Sequence, residues 1–203
     1  MRDLPDDLEL PLASGAAWWY WLGGRPALDL VNTRRERWRR CVETLVGPRD
    51  LARWLVEAGL LETAPARPSR RALDGARELR EAIDAAVVAV VAGEPAPPAA
   101  VGVIDAWLPR PSLALDADGV PVLREGDGLR DALAVIALDA ATMLGTAERT
   151  RIRICDSETC SARFYDRSPG GRRRWCSMRA CGNVNKVRRH RAHAQRDTER
   201  SLR

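Results

Sequence analysis

The stretch that decides the fold of the last quarter of the chain is Cys155-Asp-Ser-Glu-Thr-Cys160, followed after fifteen residues by Cys176-Ser-Met-Arg-Ala-Cys181. Structural zinc takes four ligands at the corners of a tetrahedron, and two close-spaced cysteine pairs supply such a set. Four thiolates fill the coordination shell, so the pattern predicts one structural Zn²⁺ and not a catalytic one. The alternatives are four ordinary buried thiols or two disulfides. His190 and His193 could also replace a cysteine, although the tetrahedron is complete without them.

The residues between the two cysteine pairs predict a small hairpin. Residues 163–166 and 172–175 can pair as strands across the turn formed by residues 168–171. We expect Phe164, Tyr165 and Trp175 to pack around the metal, because so small a unit has no other core. Ser177 is a good N-cap, which predicts a helix that carries Cys181 and continues through the tail.

Length and composition place this unit beside a larger one. The chain has 203 residues, of which 45% are hydrophobic, enough for a medium domain with a small appendage. The sequence contains no apolar run of about 20 residues, which a membrane helix needs, and residues 1–12 are too acidic for a signal peptide. We therefore expect a cytoplasmic protein with reduced thiols, which favours metal binding over disulfides. The lone Cys41 is expected to act as a small hydrophobic residue.

Charge divides the chain at about residue 150. Residues 1–150 carry 18 basic and 23 acidic side chains, which gives −5, whereas residues 151–203 carry 15 and 5, which gives +10. Four thiolates with one Zn²⁺ add −2, so the C-terminal part stays at about +8 when metal is bound. We accordingly divide the chain into a helical domain, residues 1–150, and a zinc finger with a basic C-terminal helix, residues 151–203.

Such a basic helix beside a finger suits the phosphate backbone of DNA, and Asn and Arg can also read base edges. RNA is less favoured, because the tail shows no stacking aromatics. The alternative is that residues 172–174 neutralise the metal cluster while the other charges only solvate a helix. The candidate nucleic-acid contacts are Arg172, Arg173, Arg174, Asn183, Asn185, Lys186, Arg188, Arg189, His190 and Arg191.

Hydrophobic periodicity predicts a mainly α (α+β) fold. We expect helices from Pro26, from Gly47-Pro48 to Gly59, over 69–92, over 101–108 and from Asp127 to Gly145. The bulky residues 18–22 predict a short strand that enters the Gly23-Gly24 turn. Residues 112–115 and 120–123 predict a β-hairpin in which Pro121 restricts the second run to an edge strand.

Two segments resemble known families. The run from Cys155 through Phe164-Tyr165-Asp166, Trp175-Cys176-Ser177 and Cys181-Gly182-Asn183 resembles the CGNR-type zinc finger of bacterial proteins, with Val184 where the family has Arg. Residues 22–33 resemble the opening motif of the domain that usually precedes this finger, described as a putative stress-induced transcription regulator. The resemblance implies a zinc-binding, DNA-binding regulator of transcription in a stress response.

The helical part offers few candidates for chemistry of its own. Asp29, Asn32 and Arg34 could hold a small ligand, but the stronger interpretation is that Asp29 and Asn32 tie their helix to the Gly23-Gly24 turn. Residues 1–150 contain no His, no thiol pair and no Gly-rich phosphate loop, so we do not expect an enzyme. The expected partners are DNA, an unknown small-molecule or protein effector, and a second copy in a possible homodimer. The alternative is a zinc-stabilised module that binds protein or RNA and never touches DNA.

Overall fold

The computed structural model describes residues 19, 21–109, 113–115, 121–123, 128–183 and 185–186. Five helices and three two-stranded antiparallel sheets follow one another along the described chain. Their bounds are α1 Pro26–Val31, β1 Arg34–Arg35, β2 Val42–Glu43, α2 Pro48–Glu57, α3 Arg70–Val91, α4 Pro98–Trp107, β3 Leu113–Leu115, β4 Pro121–Leu123, α5 Gly128–Gly145, β5 Ile152–Ile154 and β6 Arg163–Tyr165. A 3₁₀ turn at Ala147–Arg151 and a π-helical turn at Met178–Gly182 complete them. The mainly α fold predicted from the sequence is confirmed.

The helices begin and end where local signals place them. The Ser69 hydroxyl accepts a hydrogen bond from the Ala72 N–H at 3.0 Å and caps α3, and Gly59 adopts φ +74° after α2. Helix α4 begins at Pro98, three residues before the predicted start at residue 101. Proline is favoured in the first turn because the N–H it lacks would be unpaired there. The predicted cap Asp127 lies outside the described residues.

The predicted hairpin of residues 112–123 forms as β3 paired with β4, with Pro121 at the first position of its strand. The predicted strand at residues 18–22 is wrong for the three of those residues that the structure describes. Trp21 stacks on Trp54 with ring centroids 5.6 Å apart, while Leu22 packs against the cysteine cluster. These two side chains are held by different parts of the core and not by a neighbouring strand.

One hydrophobic core joins all five helices. Fully buried side chains from α1, α2, α3 and α5 meet in it, among them Leu28, Trp54, Leu79 and Ile136. Ile152, in the first strand of the C-terminal unit, belongs to the same core and is 1% exposed. The core therefore extends past the division at residue 150 that the charge pattern indicates.

The Gly23-Gly24 turn brings the start of α1 close to the C-terminal unit. A Cβ on Gly23 would lie 2.7 Å from the Asp29 nitrogen, a clash that only glycine avoids. Gly24 has φ +72°, a conformation that other residues rarely adopt. The close approach at Gly23 and the positive φ at Gly24 together allow the backbone of residues 21–25 to pass between α1 and β6.

Candidate metal centre and its contacts with the helical body

The four predicted ligands form one cluster. The sulfur atoms of Cys155, Cys160, Cys176 and Cys181 all lie within 4.8 Å of one another. Cys176 Sγ is 3.8 Å from both Cys160 Sγ and Cys181 Sγ. A tetrahedron with Zn–S bonds of about 2.3 Å has edges of about 3.8 Å, whereas a disulfide needs a separation of about 2.05 Å. The spacing and the all-thiol donor set fit one structural Zn²⁺ and exclude disulfides among these cysteines.

The four thiol groups of the cluster affect the ionisation of one another. Hydrogen bonds from Cys160, Cys176 and Cys181 hold the pKa of the Cys155 thiol far below its usual range. Hydrogen bonds with Cys155, the largest contributor, and with Cys160 raise the pKa values of Cys176 and Cys181. Without metal, ionisation is therefore favoured at Cys155 and disfavoured at Cys176 and Cys181. A bound Zn²⁺ lets all four ionise, so metal binding releases protons.

The strand pairing of the finger differs from the prediction. Strand β6 pairs with β5, in the register Arg153↔Phe164, and residues 172–175 are not a strand. Asp166 explains the difference, because its buried carboxylate accepts hydrogen bonds from the Ser168 N–H at 2.9 Å and the Arg173 N–H at 2.8 Å. Burial opposes ionisation of Asp166, but these bonds outweigh it and hold its pKa low. The carboxylate folds residues 168–173 into a loop and removes them from strand pairing.

The three aromatic residues of the finger divide between two cores. Phe164 is fully buried among the cysteines, and Trp175 packs against the same cluster, as predicted. The prediction for Tyr165 is wrong, because this ring packs against the helical core and lies 5.5 Å from the Arg25 guanidinium. Successive strand residues face opposite sides, so Phe164 and Tyr165 cannot both face the metal.

The outer edge of β6 is bonded to the helical body. Asn32 Nδ2 donates to the Arg163 carbonyl oxygen at 2.9 Å, and the Arg163 N–H donates to Asn32 Oδ1 at 2.8 Å. Two residues along, the Tyr165 N–H donates to the Gly23 carbonyl oxygen at 2.8 Å. No sequence pattern indicates this docking beyond the motif that contains Gly23 and Asn32.

A largely buried charge network also joins the finger to the body. The Arg163 side chain, 4% exposed, forms an ion pair with Asp84 of α3 at 2.6 Å. Arg37 pairs with Asp84 at 3.1 Å and with Glu81 at 2.6 Å. Burial, which disfavours its charge, lowers the pKa of Arg163 despite the facing Asp84. Sequence analysis missed this network, because its members lie on three separate segments.

The structure describes six of the candidate nucleic-acid contacts. Arg172, Asn183 and Lys186 are exposed, and Arg174 pairs with Asp156 at 2.7 Å on the surface. The Arg173 guanidinium lies over Phe164 and donates to the Cys176 carbonyl oxygen at 2.6 Å. Asn185 Nδ2 donates to the Cys181 carbonyl oxygen at 2.8 Å. Arg173 and Asn185 thus have structural partners inside the finger. Arg188, Arg189, His190 and Arg191 lie outside the described residues.

The helical turn that follows Cys176 and contains Cys181 begins directly after Ser177, as predicted, but it is π-helical. The N–H groups of Cys181 and Gly182 both donate to the Ser177 carbonyl oxygen at 3.0 Å. This wide turn brings Cys181 back to Cys176. The predicted continuation of the helix through the tail lies mostly outside the described residues.

The three residues suggested as a ligand pocket take different positions. Asp29 lines a cavity of about 630 Å³ between residues 21–29 and residues 165–179, which we call the junction cavity. Its Oδ1 accepts a hydrogen bond from the Gly23 N–H at 2.8 Å, the tie to the turn considered above. Asn32 is committed to β6, and Arg34 lines a separate cavity and pairs with Glu81 at 3.4 Å.

Together these features define a zinc-finger protein whose finger is docked on a helical body. Residues 151–194 match the CGNR zinc finger, and residues 24–147 match the ABATE family, described as a putative stress-induced transcription regulator. The second match covers more than half of the chain, which therefore belongs to the ABATE family. No curated protein matches the chain. Among the described residues, every helix is too short or too polar to cross a membrane.

Proposed function

We propose that the protein is a cytoplasmic, non-catalytic transcription regulator of a stress response that binds DNA through its zinc finger and basic tail. The observation that carries the proposal is the charge split, −5 over residues 1–150 against +10 over residues 151–203. An acidic body is repelled by phosphate, so the finger must make the contact. Membership of the ABATE family supports the regulatory role.

The contacts of the described residues refine the list of DNA-binding side chains. Arg172 and Lys186 are exposed, and Arg174 lies over the Trp175 ring and forms a surface ion pair that a phosphate can replace. Arg173 and Asn185 contribute to the finger itself, through the Cys176 and Cys181 carbonyls. We therefore assign phosphate contacts to Arg172, Arg174, Lys186 and the basic residues 188–191, and base reading to Asn183.

The salt dependence of DNA affinity tests the proposal. Each phosphate contact releases condensed counterions, so four to six contacts give a slope of log affinity against log salt of about −4 to −5. The change Arg188→Ala with Arg189→Ala should flatten this slope by about two. The double change Arg70→Ala with Arg71→Ala, at two exposed positions of the body, is the matched control and should leave it unchanged. Fluorescence anisotropy with a labelled duplex measures both.

The second candidate function is a zinc-stabilised module that binds protein or RNA. The contacts of Arg173 with the Cys176 carbonyl and the Phe164 ring favour it, because they give this arginine a structural role that does not involve DNA. Undetectable duplex affinity at low salt, or affinity without salt dependence, would support it over the first. Single-stranded RNA in the same anisotropy assay distinguishes an RNA-binding module, which should bind it, from a protein-binding module, which should not.

A further inference from the structure

The junction cavity has walls from both parts of the molecule. Trp21, Arg25 and Asp29 line it from the helical body, and Tyr165 and Arg167 line it from the finger, where Arg173 and Arg179 join them. A volume of about 630 Å³ is in the range of small-molecule sites, which occur preferentially where two units meet.

The lining carries two guanidinium groups, those of Arg167 and Arg173, that attract Asp29 and Asp166 but form no salt bridge within the described residues. Arg25 pairs with Asp139 at 2.8 Å and with Glu148 at 3.0 Å, so its charge is compensated. Arg167 donates to the Gly24 carbonyl oxygen and Arg173 to that of Cys176, both neutral groups. Within the described chain, neither Arg167 nor Arg173 forms a salt bridge with a carboxylate. The zinc–thiolate cluster offsets part of this charge, but it cannot accept the forked hydrogen bonds that guanidinium groups make to carboxylate or phosphate.

The same cavity has an aromatic wall. Trp21 is fixed by stacking on Trp54, and the Tyr165 ring is held against the Arg25 guanidinium. Aromatic side chains that are already ordered lose little conformational entropy when a flat ligand packs on them.

Asp29 opposes an anion in this cavity less than a fully ionised carboxylate would. Burial and the nearby Asp139 raise its pKa to about 7, against the opposing effects of the Gly23 N–H and Arg167. A large fraction of Asp29 is thus uncharged near neutral pH, and a protonated carboxyl can donate a hydrogen bond to an anion.

We propose that the junction cavity binds a small organic anion, whose carboxylate or phosphate pairs with Arg167 and Arg173 and whose flat part packs on Trp21 and Tyr165. Because such a ligand touches both walls, its binding stabilises the finger in its docked position on the body. The binding itself does not depend on DNA contact, so it can be tested separately from the proposed function.

The test uses the zinc-loaded full chain and 4-fluorobenzoate, followed by ¹⁹F NMR line broadening. We expect saturable binding with a Kd of about 1 mM, the affinity usual for a ligand of ten heavy atoms. Arg167→Gln should weaken binding about tenfold, since it removes a charge-assisted hydrogen bond. Arg172→Gln, which changes an exposed arginine outside the cavity, is the matched control and should leave the Kd unchanged. The neutral 4-fluorobenzamide should bind at least about tenfold more weakly.

Several outcomes overturn the proposal. These are no saturable binding, equal weakening by Arg167→Gln and Arg172→Gln, or equal affinity for the amide. Displacement of the probe by duplex DNA would assign these arginines to the DNA surface and would also overturn it. If Arg167→Gln loses zinc, the comparison of 4-fluorobenzoate with 4-fluorobenzamide on the unmodified chain becomes the deciding measurement, because it needs no variant.

Discussion

The carboxamide of Asn32 bonds the backbone of Arg163 in both directions, across 131 positions of the sequence. The amide acts as a short piece of strand on the outer edge of β6. An unpaired edge of this kind is a site for unwanted pairing, and Asn32 and Gly23 cover it. The zinc finger is thereby attached to the helix that opens the body.

Asn32→Ala should lower the free energy of unfolding by about 1–3 kcal/mol, because it leaves a partly buried N–H and carbonyl without partners. Urea unfolding followed by far-UV circular dichroism measures the change. Asn183→Ala, at an exposed asparagine of the finger, is the control and should change stability by less than about 0.5 kcal/mol. Equal effects of the two changes would show that the Asn32 bonds do not contribute.

Cys176→Ser should abolish stoichiometric zinc binding, because a hydroxyl is a poor ligand for Zn²⁺ and the shell loses its fourth thiolate. Elemental analysis should find one zinc per chain in the unmodified protein and almost none in the variant. Cys41→Ser, at an exposed cysteine outside the cluster, should retain the full content. Full retention of zinc by Cys176→Ser would refute the four-cysteine site.

A chain that ends at Thr150 is predicted to stay folded and helical, because α1–α5 bury a core of their own. It should nevertheless be less stable than the full chain, since it lacks Ile152 and the bonds from β6 to Gly23 and Asn32. Ile152→Ala in the full chain isolates the core contribution and should cost about 2–5 kcal/mol. Thermal unfolding measures all three proteins. Complete single-step unfolding of the full chain on chelation would show that the body depends on the finger.

Asp29 should make stability depend on pH between about 4 and 7. Its pKa is raised from 3.8 to about 7 in the folded chain, so the folded state binds more protons than the unfolded state in this interval. The contribution of protonated Asp29 to stability is therefore lost as pH rises towards 7. Above about pH 7 this group causes no further change in stability. Asp29→Asn should remove this dependence and stabilise the protein at pH 8 by about 2 kcal/mol, since partial exposure screens the full effect.

Urea unfolding at pH 5 and pH 8 measures this difference. Asp131→Asn, at an exposed carboxyl of α5, is the matched control and should keep the pH dependence of the unmodified chain. A variant at Asp29 that behaves like the control would contradict the raised pKa.

The sequence by itself determined the features that depend on nearby residues. The spacing of the four cysteines predicted the metal cluster, and Ser69 and Gly59 predicted a helix start and a helix end. Caps, periodicity and ligand spacing act within one or two turns of chain, so these predictions needed no knowledge of the rest of the fold.

Only the tertiary structure decided which surfaces meet. It paired β6 with β5 and turned Tyr165 to the body, and it placed Asp29 beside Arg167 in a cavity shared by body and finger. The sequence of residues 163–166 predicts a strand equally well whether its partner is residues 172–175 or β5. The choice depends on a carboxylate that closes the loop at Asp166 and on an amide 131 positions away at Asn32. Contacts between residues so distant in sequence form only when the surfaces of the body and the finger pack together. Local sequence patterns do not predict that packing.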